Sequence, residues 1–133
     1  MTFVDSNILL DLFTADPQWG AWSQARLEEL AARGPLVIND IVYAEISTRF
    51  ASSDDVDAAI QRAGLLLKPI PRQALFHAGK AFRRYRAAGG HRTGVLPGFF
   101  IGAHAEAARL RLLTRDARRY RTYFPAVELI APE

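Results

Sequence analysis

Three acidic residues, Asp5, Glu45 and Asp116, stand where short apolar, β-prone runs give way to segments with helical patterning. Asp5 ends the run Thr2-Phe3-Val4, Asp116 follows Leu112-Leu113-Thr114-Arg115, and Glu45 lies on the helix expected after Leu36-Val37-Ile38. Each has an ordinary structural reading when taken alone. Asp5 and Asp116 suit the N-cap of the helix that follows, where a carboxylate accepts from free backbone N–H groups. Glu45 suits an exposed pair with Arg49, worth about 0.3–0.5 kcal/mol. Taken together they allow another chemistry, because strand ends of an open α/β sheet lie along one edge and ligands collect there. Carboxylates gathered at one place repel each other without a cation. A hard ion such as Mg2+ or Mn2+ would relieve that repulsion and position water for attack on a phosphodiester. Ser6, Asn7 and Thr114 stand close enough in sequence to orient such carboxylates through hydrogen bonds.

Other chemistries fall away quickly. The chain of 133 residues has no cysteine, which removes disulfides, thiolate metal sites and cysteine nucleophiles. Its three histidines, His77, His91 and His104, show no close pairing at helical metal spacing. His104, inside a run of small residues, reads as a packed side chain. No apolar run reaches the roughly 18 residues of a membrane span, and the N-terminus has no signal-peptide pattern, so a cytoplasmic protein without membrane contact is expected.

The net charge of +3 conceals a division along the chain. From Met1 to Asp57 ten acids face three arginines, whereas Ala58 to Ala105 contains eight basic residues and no acid. A basic surface beside a carboxylate-bound cation suits an anionic polymer, and RNA is the natural candidate. Arg83, Arg84, Arg86, Arg92 and Arg115 are the residues expected to contact it. A solvated arginine-rich face explains the same composition without a ligand.

The elements that must position these groups alternate. Strands are expected at Thr2–Val4, Leu36–Ile38, Leu65–Ile70, Arg111–Thr114 and Val127–Ile130. Helices are expected at 8–13, from Asp16-Pro17 to about Gly34, at 41–50, to about Ala63, at 71–88, at 99–110 and at 117–123. Such alternation predicts an α/β fold: one domain over residues 1–133, three layers, and a mostly parallel sheet of about five strands.

At this point the chain resembles the PIN-domain ribonucleases, in particular the VapC-like toxins of bacterial toxin–antitoxin pairs. The likeness runs over nearly the whole length. It rests on Val4-Asp5-Ser6-Asn7, on Asn39-Asp40-Ile41-Val42-Tyr43-Ala44-Glu45, on Phe99-Phe100-Ile101-Gly102-Ala103-His104-Ala105 and on Leu113-Thr114-Arg115-Asp116. The resemblance implies a metal-dependent endoribonuclease, commonly a homodimer, held inactive by a cognate antitoxin, with Asp5, Glu45 and Asp116 as ligands for Mg2+ or Mn2+.

One acid of that pattern is missing. Where the family usually reads Pro-Asp-Phe, this chain reads Pro97-Gly98-Phe99. Loss of an anionic oxygen should lower metal affinity, and glycine offers no evident structural advantage in return. An inactivating replacement and a naturally degenerate site both fit. A PIN-like binding module, acting through antitoxin or dimer contacts without chemistry, is therefore the second functional expectation. A phospho-acceptor receiver domain is a third, disfavoured because no lysine follows Lys80.

Overall fold

A computed structural model describes all 133 residues. Five parallel strands form one sheet: β1 (Thr2–Val4), β2 (Leu36–Ile38), β3 (Leu65–Leu67), β4 (Arg111–Leu113) and β5 (Leu129–Ile130). Their spatial order is β3-β2-β1-β4-β5. Seven helices join them: α1 (Ser6–Phe13), α2 (Gly20–Ala31), α3 (Asp40–Ser47), α4 (Ser53–Arg62), α5 (Arg72–Ala87), α6 (Pro97–Ala108) and α7 (Ala117–Tyr123). The expected α/β class with a parallel sheet is the observed one.

The central strands are buried at every position, so both faces of the sheet are covered. A continuous cluster of 26 buried residues, including Phe3, Val37, Ile46, Phe99, Leu112 and Phe124, forms the core. Helix α6 packs closely because of its small residues. A Cβ on Gly102 would lie 2.3 Å from the Phe124 ring, so glycine is what lets the helix approach that ring.

Several boundaries differ from the sequence expectation. Asp16 does not start a helix at Pro17; its carboxylate accepts from the N–H groups of Gln18 (2.9 Å) and Trp19 (2.8 Å), which closes a turn and delays α2 to Gly20. Strand β3 stops at Leu67 rather than Ile70, and β5 begins at Leu129 rather than Val127. The α3 helix ends at Ser47, not Phe50. Asn39 does cap α3 as expected, its Oδ1 accepting from Ile41 N and Val42 N, each at 3.0 Å. Its amide donates to Nδ1 of buried His104 at 3.2 Å, which ties α3 to α6.

Candidate active site

The sheet order places β2 on one side of β1 and β4 on the other, so the direction of winding changes between β1 and β4. The carboxyl ends of those strands flank the crevice where open α/β sheets hold ligands. Val4 pairs in register with Leu113, and the Asp5 N–H donates to the Leu113 carbonyl at 2.9 Å. Asp5 and Thr114, one residue further along each strand, therefore meet at this point.

Asp5 occupies the N-cap position of α1 and Asp116 that of α7, yet neither side chain makes a capping hydrogen bond. The cap explanation of these acids fails on that geometry. Asp5 Oδ2 instead accepts from Thr114 Oγ1 at 2.8 Å and from the Tyr120 hydroxyl at 2.9 Å, with Asn7 Nδ2 more distant at 3.4 Å. Thr114 Oγ1 in turn accepts from the Asp116 N–H at 2.9 Å, which fixes the start of α7 relative to Asp5. Ser6 Oγ donates to Glu45 Oε1 at 2.8 Å and lies 3.4 Å from Asp5 Oδ1, so it links two acids. Glu45 forms no ion pair with Arg49; it turns toward Ser6 and the strand ends instead.

Burial sets the protonation chemistry. It raises the Asp5 pKa above the ordinary carboxylate value, partly opposed by the hydrogen bonds from Thr114 and Tyr120. Burial likewise raises Glu45, and the nearby Asp5 charge adds to it. Tyr120 is pushed well above a normal phenol, by burial first and then by Asp5, so it keeps its proton and acts as the donor.

Asp5, Glu45 and Asp116 line one pocket of about 240 Å³ together with Ser6, Asn7, Gly98, Arg119 and Tyr120. Their oxygens are the right chemistry for a hard divalent ion. Their arrangement is not: no three acidic or histidine side chains are gathered so that they could hold a metal ion. At Gly98 the wall supplies no oxygen, and a Cβ there would lie 2.9 Å from Arg119 Nη1 and 3.1 Å from Arg119 Cδ. The three acids expected from the sequence share this pocket without being drawn together into a formed three-carboxylate centre. Glycine, expected to offer no evident structural advantage over aspartate, leaves room here for the Arg119 side chain.

A second cavity, about 400 Å³, adjoins the first and shares Asp116 and Arg119 with it. Arg92, Arg118, Tyr85, Phe99 and Tyr123 line the rest of its wall. Of the arginines singled out in the sequence, Arg92 is on this wall and Arg83 is exposed. Arg84 donates to the Tyr123 carbonyl at 3.2 Å, and Arg86 donates to the carbonyls of His91 (3.3 Å) and Arg92 (3.0 Å), folding its own loop. Arg115 turns away from the cavities to grip buried Asp11, Nη2 to Oδ1 at 2.8 Å, and packs over Trp19.

Sequence reasoning missed Arg119 and Tyr120. The signal is present, because positions three and four residues after Asp116 share its helical face. A reading of Asp116 as a strand-end residue alone passes over it.

Comparison with known proteins agrees with this architecture. The family model for the PIN domain matches residues 2–125. No curated protein matches the sequence. Among solved structures, a chain of VapBC2 from Rickettsia felis, bound to a promoter DNA fragment, superposes with a TM-score of 0.74 at 18% identity, over 99% of this chain and 98% of that one. A toxin–antitoxin complex from Klebsiella pneumoniae gives 0.71 at 21%, over 100% and 98%. DNA-bound VapBC from Salmonella typhimurium gives 0.70 at 17%, over 98% of both chains. These likenesses concern the fold.

Proposed function

The chain belongs to the PIN domain family, and from that premise we propose that it is the toxin of a toxin–antitoxin pair, built on an endoribonuclease site. The observation that carries this reading is the acidic pocket at the β1/β4 switch point, opening beside a cavity walled by arginines and aromatic rings. Carboxylates at a strand-end crevice suit phosphodiester hydrolysis, and an arginine–aromatic wall suits a single strand that is held by its phosphates and stacked by its bases. Arg92 and Arg118 are the side chains assigned to RNA contact there, with exposed Arg83 outside it.

The reading includes a cognate antitoxin, whose binding would cover the site, and a homodimer, for which exposed Leu66, Leu67, Leu75 and Phe76 provide apolar surface. A cytoplasmic setting goes with it; no helix is long and apolar enough to cross a membrane. A Mg2+- or Mn2+-dependent centre on Asp5, Glu45 and Asp116 belongs to a pocket in which residue 98 carries a carboxylate. With Gly98 and Arg119 in place, turnover in this chain is reduced or abolished. That same feature favours the second reading, a PIN-type module that binds its antitoxin and RNA without cleaving.

Gly98→Asp, made alone and together with Arg119→Gln, separates the two. Cleavage of a mixed-sequence RNA is followed with Mg2+ or Mn2+ and with chelator. Metal-dependent cleavage gained by either variant supports the nuclease reading. If both are as inert as the parent, the site is not an impaired nuclease and the binding module stands.

A further inference from the structure

We propose that Arg119 is the resident cation of the acidic pocket: its guanidinium occupies the place opened by Gly98 and competes with a divalent ion for Asp5, Glu45 and Asp116. The inference concerns ion binding and does not depend on RNA cleavage.

Three observations carry it. A Cβ on Gly98 would come within 2.9 Å of Arg119 Nη1 and 3.1 Å of its Cδ, so the end of the arginine side chain runs where the family's aspartate would begin. Arg119 lines the pocket with all three acids, and its Nε is 3.9 Å from Asp116 Oδ2. No other arginine or lysine lines that pocket. Arg115, the nearest basic residue in sequence to Asp116, is turned to Asp11. A pocket with three carboxylates needs positive charge nearby, and this chain supplies it from α7.

The physical consequence is competition. A guanidinium is permanently charged, so even at 3.9 Å from Asp116 it offsets carboxylate charge without the dehydration that binding a divalent ion requires. A divalent ion entering beside it meets repulsion from a fixed positive charge. Arg119 is about two-fifths exposed, so this repulsion is partly screened. Neutralising it should tighten divalent binding on the order of tenfold. An aspartate at position 98 would first pair with Arg119, so its benefit to metal binding stays hidden until the arginine is removed.

Mn2+ affinity, read from the electron paramagnetic resonance signal of the free ion, tests this without any activity assay. The variants are the parent, Arg119→Gln, Arg119→Ala, Arg119→Lys, Gly98→Asp and Gly98→Asp with Arg119→Gln, each checked for folding by circular dichroism. The alanine variant guards against ligation by the new carboxamide. Both neutral variants should bind Mn2+ about tenfold more tightly than the parent, and the lysine variant should not. Gly98→Asp should improve affinity far more in the Arg119→Gln background than alone. Equal Mn2+ affinity in the parent and both neutral variants overturns the proposal. An equal effect of Gly98→Asp in the two backgrounds overturns it too.

Discussion

Tyr120→Phe removes one oxygen from the interior and tests how the buried Asp5 carboxylate is held. The hydroxyl donates to Asp5 Oδ2 at 2.9 Å, and both residues are buried. After the change that oxygen keeps Thr114 Oγ1 at 2.8 Å and the weaker Asn7 contact at 3.4 Å. A hydrogen bond to a charged acceptor contributes about 1.5–3 kcal/mol, and a remaining strong donor places the loss near the lower bound, about 1.5 kcal/mol. For a chain of this length that corresponds to a fall in Tm of roughly 4–8 °C.

The loss should depend on pH with a definite sign. Tyr120 stabilises the ionised form of Asp5, so the variant's Asp5 has a higher folded pKa than the parent's, while the unfolded value is unchanged. The difference between the two proteins is complete above the variant's folded pKa. It shrinks as pH falls through both folded values, where Asp5 is protonated in each. Urea denaturation of parent and variant at about pH 7.5 and about pH 4 measures this directly. A stability difference that is the same at both pH values would refute the reasoning, because the hydroxyl would then act by packing and not through an ionised Asp5.

Asp5→Asn should stabilise the fold at neutral pH: burial raises the folded pKa of Asp5, so the parent loses stability as pH rises from the ordinary carboxylate value through the raised one, and an amide does not. A lower Tm for Asp5→Asn at pH 7 would contradict this. Arg115→Ala should cost about 1–3 kcal/mol in urea denaturation, since it leaves Asp11, whose side chain is 4% exposed, without its charged partner and with the Ser23 hydroxyl at 2.7 Å as its remaining donor; an unchanged midpoint would show the pair to be dispensable. Gly102→Ala should cost about 1–3 kcal/mol, because its Cβ would meet the Phe124 ring at 2.3 Å, and a neutral result would show that α6 moves away freely. Arg92→Ala with Arg118→Ala should reduce the slope of log affinity for single-stranded RNA against log salt by about 0.7 for each phosphate no longer neutralised, and an unchanged slope removes that wall from the RNA path.

The fold was legible because each strand is a short apolar run bounded by polar or turn residues, and the cap at Asn39 follows from its own chemistry. Boundaries were less so. Asp16 carries the same side chain whether it starts a helix or closes a turn, and only the tertiary position of α2 decides between them. At the site, the acids were identifiable as strand-end carboxylates, but their partners were not. Tyr120 reaches Asp5 across 115 positions and Thr114 reaches it across 109, and no local pattern encodes which hydroxyl ends beside which carboxylate. Arg115 shows the reverse error: its place next to Asp116 suggested the site, and its side chain serves Asp11 instead.

Gly98 can be weighed on the same terms. Read as a letter, it is a lost ligand, and the pocket should simply be weaker by one oxygen. In the structure the missing side chain is also space, and the Arg119 side chain runs within contact distance of where its first atom would stand. Arg119 also belongs to the wall of the neighbouring cavity, which it shares with Asp116. One helical turn therefore contributes to both compartments: Asp116 and Arg119 lie 3.9 Å apart, and the Tyr120 hydroxyl donates to Asp5 at 2.9 Å. A guanidinium already lining the pocket lessens its need for an added cation. Restoring a carboxylate at 98 changes the partner of Arg119 before it changes the affinity for metal, so loss and recovery of the site are not mirror images at a single position.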